Sequence, residues 1–440
     1  MKYKVPAGSL IEKVGWVKFL SLDSEYAVKI IRQISKHPRF VGTRHEEEAR
    51  NFLVNEFKSL GLEPKLEGFT VKTYSIIEER LEVLEPPWGE IECGALGFSG
   101  NTPPSGVEGK LIYIENADKA LLPDNKGWIG LAAARPTREA WKTLAKQASG
   151  LIISENNPSR PPSMVSVPYE WLEEAGDLPA VYVKYDDALR LLEASRVRLM
   201  VRQKYKEITA YNIVAEVKGT KYPEEIILVV AHYDSVRNVH GAIDNAGGVG
   251  FLMALAKKFS SSACKRTIRF VLAGAEELGL RGSLAYVEAH RDELENIKLV
   301  VNLDVHGQPI GTNAAIVTGD SKIANYLETL SKIMGVNLNV REDVMSSDST
   351  SFARAGVPAV SFYRSGGSAH FMHTHLDNDK YVGSQAFALL GAIALRFIEE
   401  VANAEEFPFP REIPDNIKKK IKEYFEKRGF GIKNYKNKVA

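Results

Sequence analysis

The chain has 440 residues, of which 44% are hydrophobic and 26% are charged, so a fibrous or disordered class is excluded and two or three globular domains fit. Because 57 Lys and Arg nearly balance 56 Asp and Glu, the chain lacks the broad positive field that nonspecific binding to nucleic acid or membranes requires. The two cysteines, Cys93 and Cys264, lie far apart, which excludes a disulfide framework and favours a reducing compartment.

The N-terminal segment, residues 1–23, lacks the continuous apolar stretch and the small-residue cleavage site of a secretory signal. No apolar run of about 18 residues, the length that a membrane-spanning helix needs, occurs in the sequence. The sequence therefore predicts a cytoplasmic protein that has no membrane partner.

Residues 24–61 predict two helices, the second of which carries apolar residues at helical spacing and ends at Gly61. We assign residues 1–83 to the N-terminal part of a catalytic domain. From 84 to 207 prolines are frequent and the strand-like runs are short, as at 111–115, 151–154 and 180–183. We interpret residues 84–207 as an inserted, β-rich α/β domain, called the insert below.

From residue 208 strands and helices alternate, with apolar runs at 226–231, 267–274, 299–304, 314–319 and 357–363. Such runs predict an α/β fold with a mostly parallel, mixed sheet that helices cover on both faces, and residues 208–403 form its main part. The tail, residues 404–440, is basic and contains one amphipathic pattern around Ile417, Ile421 and Phe425. We expect a short helix there that docks on the protein or forms a homo-oligomer rather than binds a membrane.

Acidic and imidazole side chains follow four of these apolar runs. In an open α/β sheet, ligands bind outside the carboxyl ends of the strands, so these side chains are expected to meet at one edge. They are His232 and Asp234, Glu276 and Glu277, Asp304, and, after a longer loop, His373 and Asp377; Asp244 lies in a glycine-rich segment that opens the next helix.

Imidazole and carboxylate ligands without a nearby cysteine favour zinc, with cobalt or manganese as substitutes. Two ions about 3.5–4 Å apart need one shared carboxylate, and Asp244, fixed between a glycine-rich loop and a helix, is the natural bridge. The sequence thus predicts two zinc ions, each with its own histidine and its own acid, held by His232, Asp244, Glu277, Asp304 and His373.

The adjacent acids Glu276 and Glu277 are expected to have different roles, because neighbouring residues of an extended chain point to opposite sides. We assign Glu277 to a metal ion. Glu276 is then the general base, which takes a proton from the attacking water and later passes it to the leaving amine.

Three further residues are expected to support the ligands. Asp234, which we group with Glu276 as catalytic, is placed two residues after His232 and should accept the second N–H of that imidazole. Asp377 could act in the same way near His373. Asn245, which directly follows Asp244, is also assigned a supporting role.

These motifs resemble the co-catalytic zinc exopeptidase family, which contains bacterial leucyl aminopeptidases, glutamate carboxypeptidase and, more distantly, glutaminyl cyclase. The resemblance covers about residues 24–83 and 208–403, and includes Pro-Arg-Phe-Val-Gly-Thr at 38–43. It rests on His-Tyr-Asp-Ser (232–235), Gly-Ala-Ile-Asp-Asn-Ala-Gly-Gly (241–248), Glu-Glu-Leu-Gly-Leu-Arg-Gly-Ser (276–283), Asn-Leu-Asp (302–304) and His-Thr-His-Leu-Asp (373–377).

The resemblance implies three further features. It favours His373 as the ligand over the nearby His370 and His375, and it implies a cis peptide bond between Asp244 and Asn245. The insert resembles the protease-associated domain that some members place at this position. One departure is Ser-Asp-Ser-Thr-Ser-Phe at 347–352, where many members read Ser-Asp-His-x-x-Phe, so pocket chemistry near Ser349 cannot be carried over.

The first functional hypothesis is an aminopeptidase that acts on peptides with a free N-terminus and uses two zinc ions. The second is a carboxypeptidase or dipeptidase with the same metals, which would clamp the substrate terminus with a base such as Arg281, Arg354 or Arg364. A catalytically inactive binding module is the third hypothesis, although all five ligands and Glu276 are present. Cyclisation of glutaminyl peptides is disfavoured because those relatives lack the insert.

Overall fold

The computed structural model describes residues 22–117 and 122–429; the predictions for residues 1–21 and for the last part of the basic tail, 430–440, lie outside them. The two predicted N-terminal helices are confirmed as α1 (Ser24–Ile34) and α2 (Arg44–Ser59). Their first turns are capped by Asp23 and Thr43, whose side chains accept the N–H groups of Tyr26 and Glu46.

The main sheet is built around four neighbouring parallel strands. These are β9 (Tyr222–His232), β10 (Arg266–Ala273), β11 (Ile297–Leu303) and β14 (Ala359–Ser365). On the β14 side, β12 (Thr312–Thr318) pairs antiparallel and is followed by parallel β13 (Asn339–Glu342). The predicted mostly parallel, mixed sheet is therefore confirmed.

Helices cover both faces of this sheet, which explains why its strands are apolar without alternation. Along β9, Ile227 and Val229 belong to one buried cluster while Leu228 and Val230 belong to another. The first cluster includes residues of α1, α2 and three helices of the catalytic region; the second includes residues of the other two. In chain order these five helices are α6 (Gly247–Ser260), α7 (Arg281–Ala289), α8 (Ser321–Met334), α9 (Ser349–Arg354) and α10 (Gln385–Asn403).

Two long strands carry the insert. β1 (Lys65–Glu85) and β8 (Arg196–Val217) pair antiparallel from Lys65 opposite Val214 to Glu85 opposite Arg196. The boundaries that we drew at 84 and 207 thus fall inside strands of one continuous ribbon. The far end of β8 pairs with β10, so the ribbon joins the insert to the main sheet without a flexible linker.

The insert has its own small mixed sheet and helices. The small sheet consists of β3 (Cys93–Ala95), β4 (Val107–Tyr113), β5 (Trp128–Ala132), β6 (Ala148–Ser154) and β7 (Ala180–Val183). β4 also pairs with β8 of the ribbon, and the short β2 (Gly89–Ile91) pairs with β1. The helices of the insert are α3 (Arg138–Gln147), α4 (Tyr169–Ala175) and α5 (Tyr185–Leu191). The likeness of this unit to a protease-associated domain stays a prediction.

The tail contains the expected amphipathic helix, α11 (Asp415–Arg428). Its apolar residues Ile417, Ile421 and Phe425 are buried in a cluster that also contains Leu280 and Ala353, so the helix docks on the catalytic region of its own chain. Within the ranges that the structure describes, none of the helices combines the length and the apolar character that crossing a membrane requires.

Candidate metal centre

The ends of the parallel strands bring the predicted ligands to one edge of the main sheet. His232 is the last residue of β9, and Asp304 directly follows the neighbouring β11. The turn Glu276–Leu278 follows β10, and β14 leads into the loop that carries His373. Because the carboxyl ends of parallel strands face the same way, side chains from distant parts of the sequence meet there.

The five predicted ligands form two groups that share Asp244. In the first group, His232 Nε2 lies 3.2 Å from Asp244 Oδ1 and 3.5 Å from Asp304 Oδ1. In the second group, His373 Nε2 lies 3.0 Å from Asp244 Oδ2 and 3.4 Å from Glu277 Oε2. Within each group of three, one ligand atom from every residue lies within 4.8 Å of the others. The two oxygens of Asp244 therefore face different groups, as a bridging carboxylate requires.

The backbone around Asp244 is held by two polar side chains. The carboxylate of Asp377 accepts the N–H groups of Ile243 at 2.8 Å and Asp244 at 3.1 Å. Our prediction that Asp377 orients His373 was therefore wrong, because both carboxylate oxygens already bond the backbone that presents the bridge. Asn245 donates to the carbonyl of Leu303 at 2.9 Å, and the Asp244–Asn245 peptide bond is cis, as the resemblance implied.

Glu276 and Glu277 lie in a tight 3₁₀ turn rather than in extended chain, so the reason that we gave for separating their roles was wrong. The turn follows Ala275, which has a left-handed φ of 55°. It still directs the two carboxylates to different histidines: Glu277 contacts His373, whereas Glu276 Oε2 lies 3.9 Å from His232 Nε2.

Asp234 holds this turn through hydrogen bonds to its backbone. Its two carboxylate oxygens accept the N–H groups of Glu276 at 3.0 Å and Glu277 at 3.2 Å. The predicted contact with the imidazole of His232 is looser, with Nδ1 and Oδ1 separated by 3.5 Å. The main role of Asp234 is therefore to fix the position of both glutamates, and its contact with His232 is the weaker one.

The site has a large excess of buried negative charge. Its seven carboxylates are those of Asp234, Asp244, Glu276, Glu277, Asp304, Asp348 and Asp377; five are buried and the side chains of the two glutamates are 11% and 7% exposed. Burial raises the pKa of Glu276 well above its usual range, and raises that of Glu277 as well. Uncompensated buried charges cost several kcal/mol each, roughly, and either protonation or bound cations would offset this cost.

The ligand atoms themselves fit divalent metal ions. Glu277 Oε1 and Asp304 Oδ1 are buried and lack a hydrogen-bond partner among the described residues. Burial opposes protonation of His232 and His373, yet the surrounding carboxylates raise the pKa of both imidazoles well above the usual value. Two dications would offset the same negative charge while the imidazoles stay neutral, which is the form in which histidine binds metal.

Two buried charged residues near the site were not singled out from the sequence. Arg39 is completely buried, and its guanidinium donates to the carbonyls of Tyr233 at 2.8 Å and Gly241 at 2.9 Å, at the two ends of the loop between His232 and Asp244. Asp348 is also buried, and burial raises its pKa to about 7. Arg39 lies in the 38–43 segment that we noted by resemblance, but no sequence pattern shows that its partners are backbone carbonyls.

The three arginines considered as substrate clamps are engaged elsewhere. Arg281 donates to both carboxylate oxygens of Glu170, each at 2.8 Å. Arg364 donates to backbone carbonyls, among them that of Gln308 at 3.0 Å. The guanidinium carbon of Arg354 lies 4.3 Å from the centre of the Phe425 ring.

The competing histidines are separate from the two ligand groups. His375 is exposed, and His370 is absent from both groups of the described chain. The carbonyl of His370 instead accepts a hydrogen bond from Arg160 of the insert. His373 is therefore the histidine that this loop brings to Asp244 and Glu277.

An α/β protein whose strand ends gather two histidine and carboxylate groups has the architecture of a metal-dependent hydrolase. Residues 212–398, which include all of these ligands, match the model of Peptidase family M28. The match places residues 212–398 in this family of peptidases, which are hydrolases of peptide bonds.

The chain is similar to members with different named activities. It is 26% identical to aminopeptidase YwaD of Bacillus subtilis, over 96% of this chain and 94% of that protein. It is 25% identical to human carboxypeptidase Q, over 84% of this chain and 83% of that protein. The solved structure of a zinc aminopeptidase from Bacillus subtilis superposes with a TM-score of 0.72 at 24% identity, over 90% of this chain and 99% of that one, which shows the same fold.

Proposed function

We propose that this protein is an aminopeptidase that uses two zinc ions and the general base Glu276 to hydrolyse the first peptide bond of peptides with a free N-terminus. The observation that carries the proposal is the pair of ligand groups that share Asp244. His232 and Asp304 would complete one zinc site, and His373 and Glu277 the other. The zinc named for the similar Bacillus aminopeptidase supports this choice of metal.

Zinc ions at these positions would lower the pKa of a water molecule and polarise the scissile carbonyl. Glu276 lies beside His232 but outside both ligand groups, so its carboxylate is free to take a proton from that water. Burial raises the pKa of Glu276, which strengthens it as a base and lets it hold the proton until the amine leaves. Asp234 keeps this carboxylate in place through the backbone of the turn.

The charge around the site supports specificity for the N-terminus. The substrate amine is a cation, and seven ionised carboxylates would still carry more negative charge than two zinc dications offset. A carboxypeptidase would need an available cationic side chain to bind the substrate carboxylate. Arg281 is instead held by Glu170, and Arg364 by backbone carbonyls. The electrostatics thus favour binding of an ammonium group.

A carboxypeptidase with the same two zinc ions is the second candidate. It is favoured by the similarity to human carboxypeptidase Q, which extends over 84% of this chain. Most of both sequences align, so the insert and the catalytic region are both included in the comparison. The two candidates therefore differ in the terminus that they recognise and not in the metal chemistry.

Four versions of one short peptide test the proposal: unmodified, N-acetylated, C-amidated and doubly blocked. An aminopeptidase should cleave the amidated peptide and leave the acetylated one intact, and a carboxypeptidase should do the reverse. Metal analysis of the same sample should give two zinc ions per chain, and a chelator should stop cleavage. Cleavage of the doubly blocked peptide, or activity that survives complete metal removal, would contradict the exopeptidase proposal.

A further inference from the structure

The insert contacts the metal centre through one loop of the catalytic region. Residues 366–378, called the His373 loop, follow β14 and contain both His373 and Asp377. The carbonyl of His373 accepts the N–H of Met164 at 2.9 Å. Arg160, also in the insert, donates to the carbonyls of His370 and, at 3.2 Å, Met372. The three bonds place insert atoms directly on the backbone that presents a ligand.

The His373 loop needs such support because its backbone is unusual and its ligand is partly open to solvent. His373 has a left-handed φ of 64°, a conformation that costs about 1–2 kcal/mol in a non-glycine residue. Gly366 and Gly367 also have positive φ. The side chain of His373 is 32% exposed, whereas that of His232 is 2% exposed. No strand holds His373, so its position depends on contacts to the loop.

Arg160 is itself fixed by buried partners in the insert. Its Nε lies 3.0 Å from Glu155 Oε2, and the two side chains are 13% and 4% exposed. The other oxygen of Glu155 accepts the N–H of Ser163 at 2.8 Å, and Arg160 also donates to Ser163 Oγ at 3.1 Å. The guanidinium is therefore held in one orientation, with its remaining donors directed at the His373 loop.

We propose that Arg160 is a positioning residue for metal binding: with Glu155 it holds the His373 loop, so that the insert sets the affinity of the zinc site formed by Asp244, Glu277 and His373. This inference rests on the proposed function, because it assumes that both zinc sites exist. It gives the insert a role in metal binding, although none of the five predicted ligands lies in the insert. The other zinc site, at His232 and Asp304, has no ligand on this loop.

The test measures zinc binding by calorimetry on folded, metal-free protein. Arg160→Met keeps the length of the side chain but removes its donors. We expect one ion to bind as in the wild type and the other to bind about 10–100-fold more weakly, the range for residues that orient a metal ligand. His373→Ala serves as the benchmark for loss of that one site. Glu155→Gln should weaken the same ion less, because it loosens Arg160 without removing it.

Arg198→Met is the matched control. Arg198 is an arginine of the insert that pairs with Glu82 and Glu108, away from the His373 loop, so both ions should bind as in the wild type. If the wild type binds two ions, and Arg160→Met and Glu155→Gln bind both of them with wild-type affinity, this inference alone is overturned. A wild type that binds fewer than two ions would overturn the proposed function together with it. If Arg160→Met does not fold, Glu155→Gln decides in the same assay.

Discussion

The two halves of the candidate metal centre are built in different ways. His232 ends a central strand and Asp304 follows the next one, so the sheet itself sets their separation. His373 lies on a loop that no strand fixes, and its carbonyl is bonded to the insert. The comparison indicates that the sheet positions ligands at strand ends, whereas a ligand on a loop needs contacts from elsewhere in the chain to position it.

Each half has an arginine that bonds backbone carbonyls near its ligand. Arg39 is completely buried within the catalytic region and holds the loop that follows His232. Arg160 is 13% exposed and extends from the insert to the His373 loop. The first arginine belongs to the main core of the protein, and the second belongs to an interface between two units. We therefore expect loss of Arg39 to lower mainly the stability of the protein, and loss of Arg160 to weaken mainly the binding of metal.

The largest effect is expected from Asp244→Asn, because Asp244 is the one ligand that both halves share. The amide cannot present two anionic oxygens to two ions, so both should bind more weakly at once. We expect peptidase activity to fall by more than about 100-fold, the upper end for residues that only support a ligand. Metal analysis and peptide hydrolysis on the purified variant check this. Loss of one ion with the other unchanged would show that Asp244 is not the bridge.

Glu276→Gln should separate chemistry from metal binding. Glu276 lies outside both ligand groups, so the variant should keep two ions while its kcat falls by about 100- to 10,000-fold, the contribution of a general base. Glu277→Gln is the matched comparison, since it changes the adjacent residue in the same turn. That variant should weaken the ion beside His373. If Glu276→Gln loses metal and Glu277→Gln does not, the two roles are exchanged.

Arg39→Met should lower the stability of the whole protein. It leaves the buried carbonyl of Tyr233 without its donor, at a cost of about 1–3 kcal/mol for an unsatisfied group, whereas the carbonyl of Gly241 loses one of two donors and keeps the N–H of Ala246 at 3.0 Å. Urea unfolding of the metal-free protein measures the change in the free energy of unfolding. Arg160→Met should give a smaller change in the same experiment. Equal losses in both variants would contradict the distinction between a core arginine and an interface arginine.

The sequence predicted the sheet and the meeting of His232 with Asp304, because apolar runs of β9 and β11 end directly at these two residues. The motif also favoured His373, which the structure brings to Asp244 and Glu277; that these residues bind metal stays a prediction. The backbone between these residues was harder to predict. Glu276 and Glu277 follow a strand but lie in a 3₁₀ turn after Ala275, which has a left-handed φ. An alanine in the sequence does not predict this backbone conformation.

The partners of buried polar side chains were the other limit of sequence analysis. Asp377 lies four residues from His373 and suggested a contact with it, but its carboxylate bonds the backbone of Ile243 and Asp244 instead. Arg160 and Arg39 bond carbonyl groups, which every residue possesses. A motif names residue types, so it cannot reveal a contact whose second partner is backbone from a distant segment.

The smallest expected effect is a difference in the order of metal removal. A graded series of chelator concentrations should remove the ion beside His373 first, because its histidine is 32% exposed and lies on a loop rather than at the end of a strand. The ion beside His232, whose histidine is 2% exposed, should leave second. We expect the two midpoints to differ by about tenfold, within the range that residues supporting a ligand provide. His373→Ala should lack the first step and keep the second. Removal of both ions in a single step from the wild type would show that the shared carboxylate of Asp244 couples the halves more strongly than their different surroundings separate them.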